Sequence, residues 1–191
     1  MLTCPLVGRM SAEPLGGQIM SNSPVSASQR WHNWVEKNPI GGLALIGVIA
    51  TQLGTYFGYC FPAVGLPKLP WPAYNGALIG GADTWGSPIS QYFAGQSLHF
   101  VNGIIFAILF GVLAHKQLPV KSHVVKGLLY GVIMTIISVG ILVPYAYVPK
   151  QGYGLFLMDG PDGWKLPFGV LVWHLIYGGM IGILFQPKNN D

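Results

Sequence analysis

The chain reads as an all-α integral membrane protein: four transmembrane helices forming two parallel helix–loop–helix repeats, preceded by a short interfacial helix. Three observations lead there. Of the residues, 51% are apolar and only 8% are charged, against about a quarter charged in soluble domains. Four stretches, Ile40–Phe61, Tyr92–Ala114, Gly127–Val148 and Pro167–Phe185, contain no Asp, Glu, Lys or Arg. And the phrase "SLHFVNGIIFAILFGV" from Ser97 is echoed by "LVWHLIYGGMIGILFQ" from Leu171, each with a histidine followed four residues on by glycine.

In chain order, residues 1–27 form a flexible tail. Its "EPLGGQ" and "SNSPVSAS" are rich in turn formers and lack the apolar core of a secretory signal. Residues 28–38 look different. Trp31 and Trp34 lie three apart with Arg30 and Lys37 nearby, which suits a helix lying in the headgroup region. The first transmembrane hairpin covers 40–115 with an outer loop at 62–91, and the second covers 124–187 with an outer loop at 149–166. Each charge-free run approaches or exceeds the roughly 20 residues a spanning helix needs. The runs are continuously apolar and do not alternate, so they are not barrel strands.

Lysine and arginine set the expected orientation. Arg9, Arg30 and Lys37 precede the first span; Lys116, Lys121 and Lys126 fill the turn between the second and third; Lys188 follows the fourth. The other loops hold Lys68, Lys150 and Lys165 beside Asp83, Asp159 and Asp162. Both termini are therefore expected in the cytoplasm, in a bacterial inner membrane. This bias also accounts for the net charge of +4. The basic residues form no cluster with stacking or groove-reading features, so no nucleic-acid partner is expected. Cys4 and Cys60 fall on opposite faces and do not pair within one chain.

The echo extends beyond the histidine phrase. "GVIATQLG" from Gly47 matches "GVIMTIIS" from Gly131, a proline follows each (Pro62, Pro144), and "GLPK" at Lys68 corresponds to "YVPK" at Lys150. Two copies of one hairpin, Gly42–Phe110 and Lys126–Phe185, share a topology, as parallel repeats do. Residues four apart share a helix face. Gly47, Thr51 and Gly54 thus form one stripe, His99, Gly103 and Ala107 a second, Gly131 and Thr135 a third, and His174, Gly178 and Gly182 a fourth. Gly58, Gly127 and Ser138 extend the first and third. Such residues let backbones approach closely in lipid, and they predict a compact bundle with little internal space.

His99 and His174 sit on these stripes, and polar groups in spans usually face the interior and find partners. Thr51, Thr135, Gln96, Asn102 and Tyr177 are the expected partners. The alternative is axial ligation of haem b or of a chlorophyll magnesium by these two histidines. Lys68, Lys150 and Lys165 then stand near the propionates, but the glycine stripes favour close packing over a cofactor-sized gap. No cofactor is the favoured expectation. A copper site from Cys60 or Met158 lacks a ligand cluster, and Asp159 and Asp162 fit turns better than a calcium loop.

Trp71 and Trp85 in the first outer loop, Trp164 in the second, and Trp31 and Trp34 before the first span are candidate interfacial anchors or contacts for a partner subunit. The apolar "NGALIGGA" within the first outer loop can form a short helix. No catalytic constellation is present: no nucleophile elbow, zinc motif or phosphate-binding glycine loop. The spans hold no ionisable carboxylate or base other than histidine, which argues against ion-coupled transport.

With His99–Gly103, His174–Gly178 and the Gly65-Leu66-Pro67 loop, the pattern resembles small uncharacterised bacterial membrane proteins of four spans built from two hairpins. The resemblance covers about Gly41–Phe185 and implies a fold without an activity. The long aromatic outer loop and the N-terminal tail depart from it. Three functions are expected in order: a non-catalytic accessory subunit of a larger membrane complex, respiratory or photosynthetic in type; a haem- or pigment-binding subunit; and a carrier of a small neutral solute.

Overall fold

A computed structural model describes residues 24–80, 88–147 and 150–188. Among these the chain is helical, with no strand. Helix α1 covers Ala27–Lys37 and begins with a reciprocal cap. The Gln29 N–H donates to Ser26 Oγ at 3.2 Å, and the Ser26 N–H donates to Gln29 Oε1 at 3.1 Å. Helix α2 covers Pro39–Cys60 and tightens into a 3₁₀ turn over Phe61–Val64. Gly65 stops that turn in the left-handed region, φ 77°.

Within the expected outer loop 62–91 lies a further helix, α3, Trp71–Gly80. Helix α4, Pro88–Leu109, runs through a π turn at Phe110–Ala114 into His115–Gln117. Helix α5, His123–Ile137, likewise continues through a π turn at Ser138–Leu142 into Val143–Ala146. Pro144 accounts for the second π turn. It has no N–H to donate to the carbonyl four residues back, so the ladder slips by one. Helix α6 covers Lys165–Leu184.

Four of these segments are long and apolar enough to cross a membrane: Pro39–Val64, Ile89–Gln117, His123–Ala146 and Lys165–Leu184. All overlap the expected spans, with ends moved by one to four residues. The expected tail and Trp85 lie mostly or wholly outside the described residues. One end of the bundle, here the near end, gathers α1, the 118–122 turn and the C-terminus. Trp31 Nε1 donates to Leu184 O at 2.9 Å and Lys188 Nζ meets Glu36 at 3.0 Å, fixing α1 to the end of α6. The far end carries α3 and the 150–164 loop.

Helix α2 packs against both α4 and α6, α5 packs against α6, and α3 packs against α4. The contacts are backbone to backbone. A Cβ on Gly178 would run into the Gly127 carbonyl, one on Gly131 into the His174 carbonyl, and one on Gly47 into the Gly103 carbonyl. Small residues in lipid favour this close approach. The seams are one turn out of register with each other. Gly47 meets Gly103, whereas Gly131, in the matching phrase of the sequence, meets His174, four residues before Gly178.

Buried Ile46, Ala50, Ala107, Phe110, Val170 and Ile181 fill the interior. The outward faces carry exposed Leu45, Ile49, Val101, Ile105, Val132, Ile136, Ile141 and Ile183. In water so continuous an apolar belt would be a large aggregating patch.

Candidate functional site

Toward the far end, the bundle leaves a cavity of about 60 Å³ between α4 and the third span, roofed by α3. The expectation of little internal space fails here, because α4 and α5 share no glycine seam. They are held by two tyrosine bridges instead. Tyr130 Oη donates to Phe106 O at 2.9 Å, and Asn102 Nδ2 donates to Tyr147 Oη at 3.3 Å. Of the lining residues, Asn102, Phe106, Leu142 and Tyr147 are half-buried while Trp71, Trp173 and His174 are buried. The mouth therefore lies between the two bridges, on the outward side of α4 and the third span.

His99, on α4, lines the cavity beside that roof. Thr55 Oγ1 donates to Thr51 O at 2.8 Å, so its lone pair faces His99 Nε2 at 3.1 Å and Nε2 carries the proton. Asn75 Nδ2 donates to Trp71 O at 2.9 Å and lies 3.3 Å from the other ring nitrogen, Nδ1. Asn75 Oδ1 in turn accepts from Asn102 Nδ2 at 3.4 Å. Both nitrogens of His99 are engaged. Since Asn102 already donates to Tyr147, the phenol keeps its own proton available.

His174 is arranged differently. Its Nδ1–H donates to Val170 O at 3.0 Å, one turn back on the same helix. That fixes the neutral tautomer with a lone pair on Nε2. Among the described residues Nε2 has no partner, and His174, 7% exposed, lines the cavity. Ser138 from the π turn lies on the same wall.

Three buried polar atoms lack hydrogen bonds nearby: Thr51 Oγ1, Trp71 Nε1 and Trp173 Nε1. Two have a packing explanation. Thr51 Oγ1 sits where a Gly103 side chain would be, so it receives the glycine Cα–H, a weak contact found at close helix interfaces. The nitrogen edge of Trp173 lies flat on Gly54, its Nε1 3.0 Å from where a Cβ would stand. Trp71 Nε1 remains as an unused donor in the cavity wall. Trp173 stacks on Tyr177 (5.6 Å, 12°), whose hydroxyl donates to Gly103 O.

None of the five expected partners bonds a histidine directly. Thr135 bonds its own helix at Gly131 O, at 2.8 Å. Tyr177 bonds Gly103, and Gln96 Nε2 is buried without a partner. Asn102 reaches His99 only through Asn75. The true partners, Thr55 and Asn75, were missed. Asn75 sits in a segment that shows no helical spacing relative to the spans, and Thr55 lies one turn beyond the stripe that drew attention to Thr51. The anchor residues also divide. Trp34 and Trp164 are exposed, but Trp31 is bonded to Leu184 and Trp71 is 7% exposed, built into the bundle's own roof.

The roof is clamped from outside by Lys150. Its ammonium lies 5.0 Å from the ring centres of both Tyr74 and Tyr153, and its N–H donates to Tyr147 O at 3.0 Å. Burial pushes the Lys150 ammonium pKa down, with Asp162 opposing the shift, and pushes the Tyr74 phenol up. No cluster of three His, Cys, Asp or Glu able to hold a metal exists among the described residues. The chain matches no protein-family model, no curated protein and no solved structure.

Proposed function

We propose that this protein is a four-span bacterial inner-membrane protein, both termini cytoplasmic, that binds a small neutral molecule in the cavity beside His174. The lysine and arginine distribution and the outward apolar belt support the membrane reading. The amphipathic α1, fixed to the near end, suits the cytoplasmic interface.

The observation that carries the binding reading is the unbonded Nε2 of His174. With Nδ1–H spent on Val170 O, this nitrogen keeps a free lone pair, and His174 lines a mostly apolar cavity in which that lone pair is one of few polar groups. The ligand is neutral because no acidic or cationic side chain lines the cavity to compensate a charge. Binding, with transport or sensing as its use, fits better than catalysis, since no hydrogen bond joins the Ser138 hydroxyl to His174 among the described residues.

The other two expectations draw less support. For haem b or chlorophyll, both ring nitrogens of His99 are already bonded and the cavity is far smaller than a macrocycle. The accessory-subunit reading leaned on aromatic outer loops as partner contacts, and Trp71 is instead internal.

The test is the nitrogen-15 spectrum of histidine-labelled protein in lipid nanodiscs, titrated with 1-butanol and with acetamide. The His174 Nε2 resonance should move while those of His99 stay. If neither solute moves it, the reading is wrong.

A further inference from the structure

We infer that the cavity takes the hydroxyl head of a long-chain alcohol dissolved in the membrane, admitted sideways between α4 and the third span with its chain left in the lipid. This rests on the binding reading above and adds the class of ligand and its route.

Size is the first argument. Water-sized sites need about 10–15 Å³ each, so about 60 Å³ holds a head of four or so heavy atoms and no chain. The mouth is the second. Its rim is Phe106 and Leu142, between the bridges at Tyr130 and Tyr147. The rim's chain neighbours Ile105 and Ile141, and Val101 beside Asn102, are exposed by 48%, 59% and 49%. What passes there is apolar, and a chain left in the mouth lies against these side chains at no cost in water contact.

Hydrogen-bond complementarity is the third. The His174 Nε2 lone pair needs a donor, whereas the Tyr147 hydroxyl proton needs an acceptor. A hydroxyl is donor and acceptor on one atom. A ketone, ester or ether leaves His174 unsatisfied, and an amine or carboxylate brings a charge that nothing in the cavity meets.

The experiment uses a hexadecanol carrying a photoactivatable diazirine on its chain, its methyl ether, and 1-butanol, with the full chain in phosphatidylcholine nanodiscs. Photolabelling by the alcohol should map to peptides containing Phe106 and Leu142. It should fall about fivefold to tenfold for the ether and for His174→Leu, the effect of one hydrogen bond. His174→Gln, which keeps an acceptor, should recover most of the labelling and guards against a merely misfolded Leu variant. Equal labelling by alcohol and ether, or labelling spread evenly round the bundle, overturns the inference. If butanol moves the His174 Nε2 resonance yet the long alcohol does not label the mouth, the ligand comes from water: this inference falls and the binding reading stands. If neither probe acts, both fall.

Discussion

His115 and His123 meet edge to edge at the near end: Nε2 of one lies 2.8 Å from Nδ1 of the other, and the ring planes differ by only 5°. The centroids are 5.1 Å apart, which is the N···N distance plus two ring radii, so the rings are coplanar and the bond is in line. The Lys126 ammonium donates to His115 O at 2.7 Å, tying the same turn.

This bond needs one protonated nitrogen and one lone pair. Two imidazolium rings have no lone pair to share, and Lys116, Lys126 and His32 add like charge nearby. Acid that puts a proton on both rings therefore breaks the bond. Amide protection factors across Lys116–Ser122, corrected for the intrinsic slowing of exchange in acid, should fall in acid for the wild type. His123→Phe should exchange faster at neutral pH and show little further change in acid. A wild-type turn that is indifferent to pH contradicts the assignment.

The glycine seams make a graded prediction. Gly178→Leu and Gly103→Leu should each disrupt the bundle. The first Cβ of the former meets the Gly127 backbone, and that of the latter meets Thr51 and the Gly47 carbonyl. Gly111→Leu should be milder, because what it meets is the mobile end of Leu43. Overpacking a fixed site costs about 1–3 kcal/mol or more. Monodisperse yield and thermal midpoint in detergent check the order, and equal losses at all three positions would argue against it.

Much of this architecture is legible in the sequence because lipid imposes a length and a polarity on every span. The stripes through Gly47, Gly103, Gly131 and Gly178 also announce close seams. Which stripe meets which, and in what register, does not follow from spacing. The offset that pairs Gly131 with His174 arises from how the helices slide in three dimensions. The short helix that "NGALIGGA" can form is α3, but its docking does not follow from spacing: Gly76 and Gly95 meet, and a Cβ on either would strike the Gln91 or Pro72 carbonyl. That contact pulls Trp71 and Asn75 inward. The asymmetry between the two histidines follows from it, since only His99 gains a roof of side chains.

Lys150 gives a prediction with a definite sign. Desolvation lowers its folded-state pKa below the unfolded one. The folded state thus disfavours the proton, and the penalty is fully present below the folded pKa. It fades as pH rises from that value toward the unfolded pKa. Lys150→Met keeps the packing between Tyr74 and Tyr153 and removes the penalty. The variant should be at least as stable as the wild type at neutral pH, with its advantage shrinking in alkali. Thermal midpoints across pH check this. An advantage that grows with pH would show that the cation–ring contacts outweigh desolvation.

Orientation is tested by labelling single cysteines in intact cells, in a background with both Cys4→Ser and Cys60→Ser. A cysteine at Met158, exposed on the far-end loop, should react with an impermeant maleimide. One at Ser122, in the lysine-flanked near-end turn, should react only after the membrane is opened. The reverse pattern would invert the topology.

The two histidines should respond differently to the same substitution, although they stand in echoing phrases of the sequence. His99→Leu removes partners from Thr55 and Asn75 at once, both buried. Asn75 then also loses its place in the link to Asn102 and Tyr147. Each buried group left without a partner costs about 1–3 kcal/mol. His174→Leu removes one bond to Val170 O, a carbonyl on its own helix, and fills part of a cavity with methyl groups. Its stability loss should be the smaller, and ligand binding should be what it loses. Gln at position 99 retains one donor and one acceptor and should recover part of the deficit. No Soret band should accompany the wild-type protein in any of these measurements. If a haem spanned the two rings, Gln and Leu would be equally damaging at both positions, because neither supplies an imidazole, and a visible band would vanish with either. Thermal midpoints of the four variants, read beside the absorption spectrum, separate these patterns.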